Sequence, residues 1–102
     1  ACLAPDNAGF LLQGIETLPL RMQRHVDNAL AVAKHLKAHP RVAWVRFPGL
    51  PDDSQYDLNR RYLRGLGGGM VVFGIRGGAE EGRRFIEGLR LFSHLANVGD
   101  AK

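Results

Sequence analysis

The residues of this chain whose type and spacing could do chemistry are its four histidines, its single cysteine and two glycine clusters. His35 and His39 stand four apart, a spacing that lets two imidazoles on one helix face share a metal ion. Leu36 occupies the place of the glutamate in H-E-x-x-H, and no third ligand is evident, so a metal site is not expected. Gly77-Gly78-Ala79-Glu80-Glu81-Gly82 lies between a strand and a helix and partly matches G-x-G-x-x-G. Ala79 replaces its second glycine, and two carboxylates sit where an anion would dock, so a tight strand-to-helix turn is expected instead. Gly65 to Gly69 leads into a strand where a phosphate cradle opens a helix, and close backbone packing accounts for it better. Cys2 has no neighbouring histidine or basic residue to lower its pKa. His94 is expected to be packed or hydrogen-bonded, and no Ser/His/Asp arrangement can be argued from spacing.

These residues must be positioned by a chain of 102 residues, at most one domain. Its 45% hydrophobic and 24% charged content is that of an ordinary globular protein. A lone cysteine allows no intrachain disulfide and suits a reducing compartment, so a cytoplasmic location is expected. No apolar run reaches membrane-spanning length, and the start lacks the layout of a signal peptide. The net charge of +4 permits an acidic partner. The basic residues are spread over helix faces, however, with doublets only at Arg60-Arg61 and Arg83-Arg84. No aromatic lies within a basic strand face, so nucleic-acid binding is not expected.

The periodicity predicts a short apolar helix over 7–16, with Asp6 as its cap. A long helix over 18–38 follows, with Pro19 in its first turn. Its apolar stripe is Leu18, Met22, Val26, Ala29, Ala33 and Leu36, and His39-Pro40 stops it. Val42 to Phe47 reads as a strand ended by Pro48-Gly49. Asp52-Asp53-Ser54 would cap a helix to about Leu63, with Leu58 and Tyr62 on one face. Met70 to Ile75 is apolar on both alternating faces, as a central strand would be. Ala79 to Arg90 reads as a helix with Glu80 and Glu81 at its positive end. Leu91 to Val98 reads as a last, weaker strand. The order α-α-β-α-β-α-β, without repeats, predicts an α/β sandwich: a small sheet with helices on one side.

Several stretches resemble the Cys/Met-metabolism family of pyridoxal-phosphate (PLP) enzymes. They are Gly14-Ile-Glu-Thr-Leu18, Leu20-Arg-Met-Gln-Arg-His25, Asn28-Ala29, His39-Pro40, Phe47-Pro-Gly-Leu50 and Gly68-Gly69 with Met70-Val-Val-Phe-Gly74. The helical and Pro-Gly stretches are shared with cystathionine synthases and lyases. The tail Leu91-Phe-Ser-His-Leu-Ala-Asn-Val-Gly-Asp-Ala-Lys102 resembles the O-acetylhomoserine sulfhydrylase branch more narrowly. The resemblance implies the C-terminal small domain of a fold-type I PLP-dependent transferase. Residues 1–17 would form a helix joining a large domain, and 18–102 the small domain, cut before its last loop and strand. Such a cut would leave an open sheet edge and an uncovered apolar face, with self-association expected.

For the intact enzyme the resemblance implies replacement of the acetate of O-acetylhomoserine by sulfide or a thiol, giving homocysteine or methionine. PLP would be the cofactor, a small amino acid the substrate, and a homo-oligomer the assembly. PLP chemistry needs a Schiff-base lysine, an acid at the pyridine nitrogen and a phosphate site. Lys34 and Lys37 lie on the long helix and Lys102 ends the chain, none in a resemblance to the family's lysine motif. The chain alone is therefore expected to bind no PLP and to be inactive. The resemblance implies that the Schiff-base lysine belongs to a large domain upstream and that the arginine gripping the substrate carboxylate lies downstream. The expected substrate-cleft residues are Asn97, Gly99, Asp100 and Lys102, although Gly99-Asp100 could equally be a simple turn. His25 is expected on a helix surface or domain junction. Two alternatives stand beside this reading: the same domain of a cystathionine γ-synthase or lyase, and a basic module for an acidic partner.

Overall fold

The computed structural model describes residues 2–95. Helix α1 spans Pro5–Glu16 and helix α2 Leu18–Ala38. Proline supplies the first turn of each, because its fixed φ suits a helix start and its absent N–H would have no partner there. Asp6 does not cap α1. Ala4 holds the cap position and Asp6 falls within the first turn, where its charge meets the positive helix end. Thr17 divides the two helices, and its hydroxyl accepts from Arg21 Nε at 3.2 Å. The other end of that guanidinium donates to the Gly14 carbonyl at 2.7 Å, tying α1 to α2. His39, held extended before Pro40, ends α2 as expected.

Strands β1 (Val42–Arg46) and β2 (Val72–Ile75) form an antiparallel pair in which Val45 faces Phe73 and Arg46 faces Val72. A bulge falls between Val42 and Trp44, where the register shifts. Trp44 lies over Gly74, and a Cβ there would come within 2.3 Å of the indole nitrogen. That close approach explains a glycine inside a strand. Val45, Phe73 and Ile75 turn toward the helices, whereas Trp44 and Val72 stay exposed on the other face. The helices thus occupy one side of a small sheet, and the mixed α/β architecture matches the expectation.

Helix α3 covers only Tyr56–Tyr62, shorter than its expected span. Asp53 does not cap it. Its carboxylate instead accepts from Phe47 N–H at 3.0 Å and Gln55 N–H at 2.9 Å, which shapes a turn. The inward residue of α3 is also different. Leu58 and Tyr62 are exposed at 48% and 67%, and the buried position between them is Asn59. Helix α4 runs Ala79–Glu87 and stops at Gly88, short of Arg90.

The last expected strand does not form over residues 91–95, which carry bends with Leu91, Phe92 and Leu95 exposed. A strand needs a ladder partner, and among the described residues none lies beside it. For the same reason β2 is not a central strand among the described residues, because it is paired along one edge only. The core is correspondingly small: Val26, Ala29 and Ala33 of α2 with Phe47 and Leu50. The expected stripe is right at its centre. Its start is not, since Leu18 and Met22 are exposed.

The surface is large for the mass. A free-standing domain of 11.2 kDa would expose about 5,700 Å², and this chain exposes 8772 Å². The radius of gyration is 17.0 Å, where a compact chain of this length has about 13 Å. Exposed apolar side chains stand together on α1 and the start of α2, at Phe10, Leu11, Leu12, Ile15 and Leu20.

Candidate functional site

A polar clamp joins two turns. Phe47 is fully buried and Asn59 is 2% exposed. Asn59 Nδ2 donates to the Pro48 carbonyl at 2.9 Å, while its Oδ1 accepts the Gly67 N–H at 2.8 Å. One side chain thereby fastens the Pro48-Gly49 turn to the glycine turn over 65–69. Gly67 has φ of +76°, and a Cβ on it would come within 2.9 Å of Phe47 Cζ and 3.0 Å of Gly49 N. Close packing, expected for the glycine run, is what Gly67 serves, whereas Gly65 and Gly68 have open space and take positive φ. Asn59 was not singled out from the sequence. Its signal was a small amide at a helix position facing both a Pro-Gly and a poly-Gly segment.

The residues singled out from the sequence do not converge. His35 and His39 have ring centroids 6.0 Å apart. Among the described residues no three metal-binding side chains come together. The Nδ1 of His39 accepts the Arg41 N–H at 3.1 Å and is occupied structurally. Gly77 and Gly78 form a strand-to-helix turn, with Gly77 at φ +113°. The Gly78 N–H donates to Glu81 Oε2 at 2.8 Å, so the carboxylate takes the place an anion would need. That hydrogen bond holds Glu81 below the ordinary carboxylate range. Its neighbour Glu80 is lowered by hydrogen bonding to Arg83, at 2.9 Å. Cys2, His25 and His94 are exposed, and His25 sits beside Gly69. Asn97, Gly99, Asp100 and Lys102 lie outside the described residues.

Lys34 and Lys37 are exposed on α2. Lys37 pairs with Asp52, and its hydrogen bond lowers the Asp52 carboxyl. A groove of about 560 Å³ lies where α2 ends, between the sheet and α4, with His39, Arg41, Arg76 and Phe85 among its walls. Among the described residues no helix is long and apolar enough to cross a membrane.

Comparison with known proteins places the chain in a family. Residues 1–102 match the Cys/Met metabolism PLP-dependent enzyme family, and the chain belongs to it. Within that family it is 54% identical to the O-acetyl-L-homoserine sulfhydrylase of Leptospira meyeri, over 98% of this chain and 23% of that protein. It is 48% identical to O-acetyl-L-homoserine sulfhydrylase 1 of Thermus thermophilus, over 98% of this chain and 24% of the relative. A crystal structure assigned as an O-acetylhomoserine (thiol)-lyase from Campylobacter jejuni, carrying N'-pyridoxyl-lysine-5'-monophosphate, superposes with a TM-score of 0.87 at 38% identity. That superposition covers all of this chain and 25% of the other. The chain thus spans about a quarter of the length of the relatives it matches.

Proposed function

We propose that this chain is the C-terminal small domain, with its connecting helix, of a PLP-dependent O-acetylhomoserine sulfhydrylase. The intact protein would exchange the acetate of O-acetylhomoserine for sulfide or a thiol, yielding homocysteine or methionine. The observation that carries this reading is the whole-chain identity of 54% to a sulfhydrylase of which it matches only 23%. Within such a protein α1 is the connector, and the apolar surface of α1 and the start of α2 docks on the large domain or a second protomer. An exposed free Cys2 suits a reducing compartment, the cytoplasm.

PLP, when bound, supplies an electron sink, and the protein supplies orientation and proton transfer. The described residues do not fit that group. Lys34 and Lys37 stand on an exposed helix face, and the amide at the start of α4 is taken by Glu81. Both observations support placing the cofactor's lysine and phosphate seat in the part of the parent outside this chain. This domain would contribute a wall of the substrate cleft, with Asn97, Gly99, Asp100 and Lys102 as its candidates.

A cystathionine γ-synthase is the second reading, favoured by a superposition of TM-score 0.84 at 37% identity on the enzyme from Xanthomonas oryzae. Turnover by the intact protein with sulfide or cysteine as nucleophile separates the two. Homocysteine formed from sulfide supports the sulfhydrylase, and cystathionine as the main product rejects it. Substituting Asp100 and Lys102 together should lower kcat/KM, and an unchanged value removes them from the cleft.

A further inference from the structure

The groove at the end of α2 has no part in the assignment above. Its volume, about 560 Å³, falls within the range of small-molecule sites. The floor is apolar, and Phe73 and Phe85 meet there edge to face with centroids 5.7 Å apart. The rim is cationic: Arg41, Arg76 and Arg84 line it with His39, against one carboxylate, Glu81. Glu81 is engaged by Gly78 N–H, and Arg84 lies 3.5 Å from Glu80. Arg41 and Arg76 enter no ion pair among the described residues.

Arg76 is also fixed in place, since its Nε donates to the Pro40 carbonyl at 3.0 Å. Because His39 Nδ1 accepts from Arg41 N–H, its neutral ring carries the proton on Nε2, as a donor. Guanidinium forks match phosphate oxygens, and like charges gathered at one mouth focus the field on an anion. A flat ring suits the aromatic floor. We propose that this groove binds a nucleoside monophosphate, the phosphate held by Arg41 and Arg76 and the base resting on Phe73 and Phe85. A nucleic acid would need a longer basic track, and the doublet Arg60-Arg61 lies on α3, outside the groove.

The test is calorimetric titration of AMP into the intact parent protein with its own cofactor loaded, so that the cofactor's phosphate seat is filled. The readout is binding, which stands or falls independently of which reaction the parent catalyses. One saturable site per chain is expected, with inorganic phosphate and adenosine each at least about tenfold weaker. Arg76→Ala should weaken AMP by about tenfold or more, with basal turnover unchanged. Phe85→Leu, a milder change to the packing, should weaken AMP while leaving phosphate affinity alone. AMP binding no tighter than phosphate, indifference to Arg76→Ala, or no binding because the parent covers the groove would each overturn the proposal. So would displacement of AMP by an oligonucleotide with a steep salt dependence, the signature of a nucleic-acid surface.

Discussion

Replacing Asn59 tests whether the two turns are held by one amide. Asn59→Ala strands the Gly67 N–H, a buried donor whose hydrogen bond is 2.8 Å. An orphaned buried donor costs about 1–3 kcal/mol. It also frees the half-buried Pro48 carbonyl from its 2.9 Å bond, worth about 0.5–1.5 kcal/mol. Together the local loss is about 1.5–4.5 kcal/mol, or roughly 10- to 2,000-fold in an opening equilibrium. Amide hydrogen exchange of a peptide covering residues 64–70, measured in the intact protein, reads that opening directly. Asn59→Asp is the sharper variant, because it keeps the acceptor for Gly67 and replaces the donor by an oxygen facing Pro48. Its buried carboxyl should titrate above the ordinary range. With the folded pKa raised, the deficit is full at neutral pH and shrinks as pH falls through that value toward the unfolded one. If exchange over 64–70 in Asn59→Ala stays within about threefold of the parent, the clamp is not what holds these turns.

Three further outcomes follow from the same geometry. Gly67→Ala should destabilise well beyond Gly65→Ala in thermal melts. Both positions have positive φ, but a Cβ at Gly67 meets Phe47 and Gly49, whereas Gly65 has open space. The left-handed conformation alone costs about 1–2 kcal/mol, so equal effects would remove the packing argument. Glu81→Gln should narrow the acid sensitivity of α4. The folded carboxyl is lowered, so its stabilisation is present above the unfolded pKa and is lost as pH falls through the folded one. Helix content of wild type and variant should therefore converge at low pH, and parallel curves would reject the cap. Phe10→Ser or Leu20→Ser should reduce self-association of the 102-residue chain, seen by sedimentation. The same changes should destabilise the intact protein by about 1.5–3 kcal/mol each, the value of a fully buried side chain. No loss in the intact protein would mean that this face is not docked.

The parts of the fold legible in the sequence were those set by local rules. Pro19 and Pro40 placed helix ends, because proline fixes φ and removes a donor whatever surrounds it. Val26, Ala29 and Ala33 were legible as an inward stripe because α2 is long enough to show its period. Asp53 was misjudged since its carboxylate had two uses, a helix cap or the Phe47 amide, and only tertiary placement decides between them. Asn59 escaped for the opposite reason. Helical periodicity ranks apolar residues inward, so Leu58 and Tyr62 outweighed an amide whose partners are 11 and 8 residues away. Residues 91–95 read as a strand from composition, but composition cannot supply the neighbouring strand that would pair with them. The proposed cleft residues, Asn97 to Lys102, rest on resemblance alone.

The buried side chains all lie in the middle of the described chain. From Val26 to Ile75 the chain satisfies itself: the buried Asn59 amide is paired at both ends, and no buried side-chain polar atom lacks a partner among the described residues. Outside that stretch, α1 buries nothing and Leu91, Phe92 and Leu95 face solvent. The chain exposes about 3,000 Å² more than a free-standing domain of its mass would. A standard protein–protein interface takes only about 800 Å² from each partner. Exposed large apolar side chains occur at both ends of the described chain and also in its middle, at Trp44, Tyr62, Met70 and Val72, as expected of surfaces that another part of a larger protein would cover. The match to a quarter of each relative's length agrees with that reading. The central clamp ties the turn after β1 to α3 and to the glycine turn that precedes β2.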